Sequence, residues 1–206
     1  NQLRTSRILA IIMACSVASA PAWTDSESDK TTSHIIAAEE ALEEQRFKDA
    51  AAEYRIAASF SDNASVAATA TRVAHSYGFD QDAIKSALHW VKLDQESEEA
   101  LLYVAQIYLR LGKIRESRRN FEKLLRRGKE PVDQQLLRLI PILGREDSEH
   151  AYQLMRQLAR PYRKSAHAHY AVAVLALEAG YVETASKRAQ EAIELDPDWV
   201  RPHLVY

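Results

Sequence analysis

Small residues recur along this chain at a nearly constant interval. Ala50, Ala83, Ser117, Ala151 and Ala185 are separated by 33, 34, 34 and 34 residues. A constant interval of this length is typical of a repeat array, in which each copy is one supersecondary unit that cannot bury its apolar face alone. The interval therefore predicts a single continuous core, to which every copy contributes, in place of several independent globular domains.

Glycine marks the same interval at a second position. Gly78, Gly112 and Gly180 each lie five residues before one of the small residues. Glycine is the usual residue at the end of a helix, because it adopts the left-handed conformation without steric cost. The two series together predict that each copy consists of a helix, a turn at glycine and a second helix.

The best-formed copy runs from Glu98 to Pro131. Its large, small and aromatic residues follow the order Leu101, Val104, Ala105, Tyr108, Ser117 and Phe121. Helices can lie side by side only if small residues occupy the closest contacts and large residues fill the grooves beside them. This order and the 34-residue interval resemble the tetratricopeptide repeat. The resemblance implies an all-α superhelical solenoid of about five helix-turn-helix repeats.

The fourth copy, from about Val132, departs from the pattern. It keeps Ala151 but contains Pro141 within its first helix. Because proline lacks a backbone N–H and its ring clashes with the preceding turn, we expect this helix to be kinked or shortened.

The amino terminus has the features of an export signal. Arg4 and Arg7 precede a short apolar run, residues 8–14, which falls well below the roughly 20 residues that span a bilayer. Residues 12–15 read Ile-Met-Ala-Cys and look like the lipobox of bacterial lipoproteins, so Cys15 is the expected lipidation site. Two alternatives are ordinary secretion, with cleavage after residue 20 or 22, and retention of an uncleaved helix.

Three segments follow from this interpretation. Residues 1–20 are the expected signal peptide, with its lipobox-like end near Cys15. Residues 21–30 are expected to form a polar tether, since the stretch 24–33 is polar and free of aromatic residues. Residues 31–206 are the expected solenoid, which stops inside the first helix of a sixth repeat and so looks like part of a longer protein.

The lipobox-like signal, the polar tether and the repeats together resemble a family of tetratricopeptide lipoproteins of Gram-negative bacteria. The resemblance includes residues 34–39, 66–74 and 192–199. One type within this family is an outer-membrane adaptor that binds a carboxyl-terminal processing protease and helps deliver cell-wall hydrolases to it. The resemblance implies export to the outer membrane, facing the periplasm, or otherwise a periplasmic protein, with a protease and its substrates as partners.

The first helices of such repeats line a concave groove that receives partner proteins. Arg72 and Arg110 would lie on adjacent first helices, where they could pair with carboxylates of a partner. The lysine and asparagine clamp by which some chaperone cofactors hold a terminal carboxylate is absent. We expect a groove that is polar in the first three repeats and apolar in the last two, formed by Glu39, Leu42, Glu43, Ala68, Arg72, His75, Leu102, Gln106, Leu109, Arg110, Tyr170, Val174 and Leu177.

Catalytic motifs do not appear in the sequence. There is no HExxH, no nucleotide-binding glycine loop and no paired-cysteine metal site, and His167 and His169 are two residues apart, so they point to different faces of a helix. We therefore expect no enzyme activity, cofactor or metal. The formal net charge of −2 gives no reason to expect nucleic acid.

The sequence favours a non-catalytic interaction scaffold or adaptor in the bacterial envelope. One alternative is a structural scaffold subunit of a secretion, pilus or polysaccharide-export apparatus. The other is the amino-terminal fragment of a larger enzyme, with its catalytic part beyond Tyr206.

Overall fold

The computed structural model describes residues 23–205, which form ten α-helices and one short 3-10 helix and contain no β-strand. The all-α class predicted from the repeat interval is confirmed. The helices are α1 (Trp23–Glu43), α2 (Phe47–Ser59), α3 (Ala64–Ser76), α4 (Asp80–Leu93), α5 (Glu98–Arg110), α6 (Ile114–Arg127), α7 (Val132–Leu143), α8 (Ser148–Ala159), α9 (Ala166–Glu178) and α10 (Val182–Leu195), and the 3-10 helix is Arg201–Leu204.

The helices pair in chain order to give five repeats, numbered 1 (α1 and α2) to 5 (α9 and α10). Every well-developed helix contact joins helices of the same repeat or of adjacent repeats, such as α2 with α4 and α7 with α9. A chain in which each unit touches only its neighbours is a solenoid. The described residues therefore form the solenoid of helix-turn-helix repeats that the sequence predicts.

The periodic small residues are buried inside the solenoid. Ala50, Ala83, Ser117, Ala151 and Ala185 are all buried, with at most 1% of their surface exposed. The one polar member of the series is satisfied locally, because the Ser117 hydroxyl donates to the backbone carbonyl of Ala105 at 2.8 Å. A larger side chain at any of these positions would force the two helices apart.

The turn between the paired helices repeats the same backbone geometry in four of the five repeats. Gly78, Gly112 and Gly180 have φ of 78°, 68° and 81°, which confirms their predicted turn position. The next backbone N–H then donates to the carbonyl five residues earlier, as Lys113 does to Tyr108 at 2.8 Å. This arrangement ends the first helix with its last carbonyls satisfied.

In repeat 1 the same turn is made without glycine. Gln45 occupies the equivalent position with φ of 60°, the only residue other than glycine with positive φ among those described. Arg46 then donates to the carbonyl of Ala41 at 2.8 Å, as in the other turns. An L-residue held in this region carries a steric cost that glycine avoids.

Repeat 4 is irregular, as its proline predicts. Pro141 lies inside α7, which has 12 residues and ends two residues later, whereas α3, α5 and α9 have 13. The second helix is also short, because α8 has 12 residues against 14 in α4, α6 and α10. The turn position in this repeat is Glu146, which does not adopt positive φ.

The polar stretch expected as a tether is helical where the structure describes it. Residues 23–33 belong to α1, and the Thr32 hydroxyl donates to the carbonyl of Ser28 at 3.0 Å. These residues continue a helix whose later turns pack on α2. Because those turns already stabilise the helix, residues 23–33 can be helical without a buried face of their own. The expected signal segment and Cys15 lie outside the described residues. No helix between residues 23 and 205 is long and apolar enough to cross a membrane.

Candidate partner-binding groove

Two adjacent rows of residues on the first helices mark the side of these helices that faces the core and the side that does not. The first row is buried and comprises Ala38, Thr71, Ala105, Leu139 and Ala173. The second row, one residue later in each repeat, is exposed or half-buried and comprises Glu39, Arg72, Gln106, Ile140 and Val174. We call this second row the groove row. It contributes no fully buried side chain to the core, so it remains accessible to a partner.

The groove row changes character along the solenoid. Glu39, Arg72 and Gln106 make it polar in repeats 1 to 3, whereas Ile140 and Val174 make it apolar in repeats 4 and 5. The change from polar to apolar residues in this row therefore falls between repeats 3 and 4.

Arg72 is fixed by contacts within the solenoid. Its guanidinium lies over the Trp90 ring at 5.2 Å and makes a bidentate pair with Glu99 of the next repeat, with N–O distances of 2.8–3.0 Å. The side chains of Arg72 and Glu99 are 46% and 51% exposed, so water competes for the pair. Exposed pairs of this kind contribute at most about 1 kcal/mol. The net charge that a partner meets here is close to zero.

Arg110 is a structural residue, contrary to the expectation that it projects freely into the groove. Its Nε donates to Glu146 at 2.7 Å and its Nη1 donates to the backbone carbonyl of His75 at 3.1 Å, while Asp80 lies 3.7 Å away. The Glu146 side chain is only 4% exposed and depends on this arginine for its charge pairing. Arg72 and Arg110 therefore do not form the free carboxylate-binding pair that their helical positions suggest.

His75 is also part of this interior cluster. Its ring packs edge-on against Tyr103 at 5.1 Å. Burial and, as the smaller cause, the positive charge of Arg110 together lower the pKa of His75 to about 4. The imidazole is therefore neutral at physiological pH and contributes packing instead of charge to the groove wall.

The apolar half of the groove continues from the groove row onto neighbouring side chains. Tyr170 is half-buried and contacts the Trp199 ring edge-on at a centroid distance of 4.9 Å. Leu177, near the end of the same helix, is 44% exposed. Tyr170 and Leu177 therefore offer apolar surface that the described part of the chain leaves uncovered. Leu102 lies outside this half, in repeat 3, where it is half-buried and packs at the edge of the main core cluster.

The remaining predicted positions divide between surface and core. Glu39 and Glu43 lie exposed on α1, and Gln106 is half-buried on α5. Ala68 and Leu109 are buried, with 4% and 0% of their surface exposed, so they belong to the core and not to the groove. Both face the adjoining helices because small and large apolar residues fill the helix contacts first.

The two closely spaced histidines have separate partners. His167 lies 3.5 Å from Asp133, whereas His169 lies 2.8 Å from Glu191. They point away from each other, as their spacing predicts. Within residues 23–205 no group of three or more histidine, cysteine, aspartate or glutamate residues is arranged to hold a metal ion.

Sequence reasoning missed the acids that engage the two arginines. Glu99 and Glu146 lie 27 and 36 residues after their arginine partners, spacings that join adjacent repeats. The only signal for Glu146 is its position, because an acid replaces the turn glycine in that repeat alone.

No protein-family model matches the chain, and no curated protein matches it. Several solved structures are similar in fold. The MamA protein is 15% identical, with 82% of this chain and 93% of that chain covered and a TM-score of 0.46. YrrB, described as a TPR protein with an unusual peptide-binding site, is 14% identical, with 89% and 97% covered and a TM-score of 0.44. A tetratricopeptide repeat protein from Parabacteroides merdae ATCC 43184 is 16% identical, with 84% and 70% covered and a TM-score of 0.45.

Proposed function

We propose that this chain is a non-catalytic interaction scaffold that binds partner proteins along the concave groove of its solenoid. The observation that carries the proposal is the groove row, in which five equivalent positions stay accessible while the residues immediately before them are buried. A regular row of this kind extends over all five repeats, which suits a long segment of another protein better than a small molecule.

The apolar half of the groove is the expected anchor for the partner. Binding energy at interfaces concentrates in a few apolar and aromatic contacts that exclude water. Tyr170, Val174 and Leu177 supply such contacts on α9, whereas Arg72 in the polar half is already paired within the solenoid. The polar half then determines the register and orientation of the bound partner segment more than its affinity.

In cellular terms, we propose an adaptor in the bacterial envelope that brings a periplasmic protease and its substrates together. Support comes from the lipobox-like sequence at Cys15 and from the resemblance to tetratricopeptide lipoproteins. Acyl chains on Cys15 would contribute roughly 0.8 kcal/mol per buried methylene, enough in combination for stable anchoring at the membrane. The groove would then lie close to the membrane surface.

Affinity capture from envelope membranes tests the groove. The bait is the full-length protein, and Leu177→Arg is compared with Val182→Arg, which makes a similar change on α10 at a residue that is 62% exposed and lies outside the groove. We expect Leu177→Arg to reduce capture of the main partner by more than about tenfold, because a charge in an apolar contact costs at least 1.4 kcal/mol. The Val182→Arg control should capture normally. Equal capture by both variants, each with unchanged helicity, would remove the groove as the partner site.

Anchoring is tested separately through Cys15→Ala. We expect the variant to move from the membrane fraction to the soluble periplasmic fraction, because the acylation site is lost. Metabolic labelling with a palmitate analogue should mark the unaltered protein and not the variant. Equal membrane retention of both proteins would contradict the lipoprotein assignment.

A further inference from the structure

A cleft with a volume of about 1020 Å³ opens between the second helices of repeats 4 and 5. It is bounded by α8, by α10 and by the connection from α8 to α9, and α9 lies behind it. The groove row lies on the first helices, so this cleft is a separate surface that does not involve the proposed partner-binding groove.

The early end of α8 creates the cleft. This helix stops at Ala159, and Pro161 follows within two residues and disfavours continuation of the helix. The connection to α9 then takes residues 160–165, whereas residues 60–63, 94–97 and 128–131 make the corresponding connections elsewhere. Two backbone bonds brace it, from Tyr162 to the carbonyl of Ala159 at 2.9 Å and from Ser165 to that of Tyr162 at 3.1 Å. The cleft wall is therefore an ordered part of the fold.

Four arginines line the cleft, and three of them have no acidic partner within residues 23–205. Arg156 lies over the Tyr152 ring at 5.6 Å, and neither Arg160 nor Arg163 forms an ion pair with a described carboxylate. This contrasts with Arg72 and Arg110 in the groove, both of which are paired. Three arginines at the cleft therefore leave positive charge that no described carboxylate pairs with at ion-pair distance.

Of the two acids that line the cleft, only Glu191 is paired with basic side chains. Glu191 receives both Arg188 and His169 at 2.8 Å, and the other nitrogen of the His169 ring lies 2.9 Å from the carbonyl of Arg163. Glu194 accepts a longer bond of 3.3 Å from Gln190. Glu191 therefore orders the α9 and α10 side of the cleft and does not neutralise Arg160 or Arg163.

Behind the charged rim, the cleft is apolar. Ala168 and Val172 form its base and are 2% and 4% exposed, and Leu195 at the end of α10 is 44% exposed. A ligand that fits must combine negative charge with apolar groups small enough to enter between two helices. An exposed bilayer surface presents anionic headgroups in a plane and cannot place apolar groups at the base of such a cleft, whereas an extended peptide presents both kinds of side chain at short spacing.

From this geometry we infer that the cleft binds an acidic peptide segment of a partner protein, one in which aspartate or glutamate alternates with apolar residues. The acidic side chains pair with Arg156, Arg160 and Arg163, whose planar guanidinium groups can each donate two parallel hydrogen bonds to a carboxylate. The apolar side chains of the peptide enter between α8 and α10 and contact Val172 and Leu195. The scaffold would thus hold two segments at once, one in the groove and one in the cleft.

Fluorescence anisotropy with defined peptides tests this inference. Three labelled probes are titrated with the full-length protein: an alternating Glu/Leu peptide, an alternating Gln/Leu peptide without charge and an alternating Glu/Ser peptide without apolar residues. We expect the Glu/Leu probe to bind at least about tenfold more tightly than either of the others. Its affinity should also fall as salt is raised, since the arginines are partly exposed. Equal affinities for the three probes would overturn the inference.

The charge-reversed variant Arg160→Glu/Arg163→Glu locates the binding. We expect it to weaken Glu/Leu binding by more than about tenfold, because it introduces repulsion as well as removing two ion pairs. The matched control is Arg119→Glu/Arg126→Glu, which makes the same change in net charge on exposed positions of α6. Equal weakening in both variants would show a general charge effect and overturn the site.

Two further measurements keep the test independent of folding and of the groove. Both variants should keep wild-type helicity and melting, and Leu177→Arg should bind the Glu/Leu probe normally because it lies in the groove. Vesicles that contain phosphatidylglycerol serve as an additional probe. Binding to these vesicles through Arg160 and Arg163, with no binding of the Glu/Leu peptide, would assign the cleft to a membrane and overturn the peptide.

Discussion

Replacement of Gln45 by glycine should stabilise the protein. Gln45 makes the turn between α1 and α2 with φ of 60°, a conformation that glycine supplies at the equivalent position in three other repeats. The left-handed conformation costs an L-residue about 1–2 kcal/mol. Glycine removes this cost. It also lowers stability by about 0.5–1 kcal/mol, because an unfolded chain with glycine at this position has more conformational freedom to lose on folding. The net increase in the free energy of unfolding should be about 0.5–1 kcal/mol.

Nothing else at this position offsets the gain. The Gln45 side chain is exposed, so its removal uncovers no core residue. For a chain of this size, 1 kcal/mol corresponds to a change in Tm of roughly 2–4 °C. Gln45→Gly should therefore raise the Tm by about 1–4 °C, measured by circular dichroism at 222 nm and by chemical denaturation.

Two control substitutions separate the backbone effect from other consequences of glycine. Gln190→Gly makes the same change at an exposed position inside α10 and should cost about 1 kcal/mol. Gly78→Ala is the opposite substitution, which places an L-residue at φ of 78°. An added Cβ meets no atom within 4 Å, so only the backbone conformation disfavours alanine there. It should cost about 1 kcal/mol. If Gln45→Gly lowered the Tm as Gln190→Gly does, the positive-φ argument for this turn would be wrong.

Three other predictions concern packing, charge and pH. Ala173→Trp should cost at least about 1–3 kcal/mol in thermal unfolding, because Ala173 is fully buried between paired helices, whereas Lys187→Ala on the exposed side of α10 should stay within about 0.5 kcal/mol. Arg110→Ala should destabilise the protein by about 1–3 kcal/mol, because it leaves the buried Glu146 carboxylate unpaired. Arg72→Ala removes an exposed pair and should cost less than about 1 kcal/mol. Equal losses of stability in urea unfolding would contradict this ranking. The folded-state pKa of His75 is lowered to about 4, so between that pH and about 6.5 the unfolded chain binds more protons than the folded protein. The free energy of unfolding should therefore fall as the pH drops through this window. His75→Phe should lose less stability between pH 7 and pH 5 than the unaltered protein does.

The regular part of the fold could be predicted from the sequence because each helix pair meets the same packing problem. Ala83, Ser117 and Ala151 recur for one physical reason, the close approach of two helices, and the interval between them fixed both the repeat number and the turn positions. Glycine at the turn follows from backbone sterics that do not depend on distant residues. Local causes of this kind are visible in a single sequence.

The charge pairs of the groove could not be predicted in the same way. Arg72 and Arg110 occupy equivalent surfaces of successive first helices, yet one forms an exposed pair and the other anchors a buried cluster. The difference lies in which acid of the next repeat reaches them, and side chains such as Glu146 have several rotamers that the helical period does not determine. Helical position therefore did not reveal that both arginines are already paired with acids of the next repeat.

The cleft depends on a similar combination of local and distant causes. Pro161 is a visible signal that α8 ends early. The cavity, however, also requires that α10 stand apart from α8 and that Glu191 turn toward His169 and Arg188. Those features depend on the geometry between repeats and have no counterpart in the periodic pattern.

The contacts of Arg110 have a consequence for how the solenoid opens. The residue belongs to repeat 3, yet it bonds the carbonyl of His75 in repeat 2 and the carboxylate of Glu146 in repeat 4. Because one side chain contacts the repeats on both sides of its own, it links three successive units into one cooperative block. Amide hydrogen exchange in α3 to α8 should accordingly proceed through one shared opening, while α1 and α10 fray independently at lower free energy.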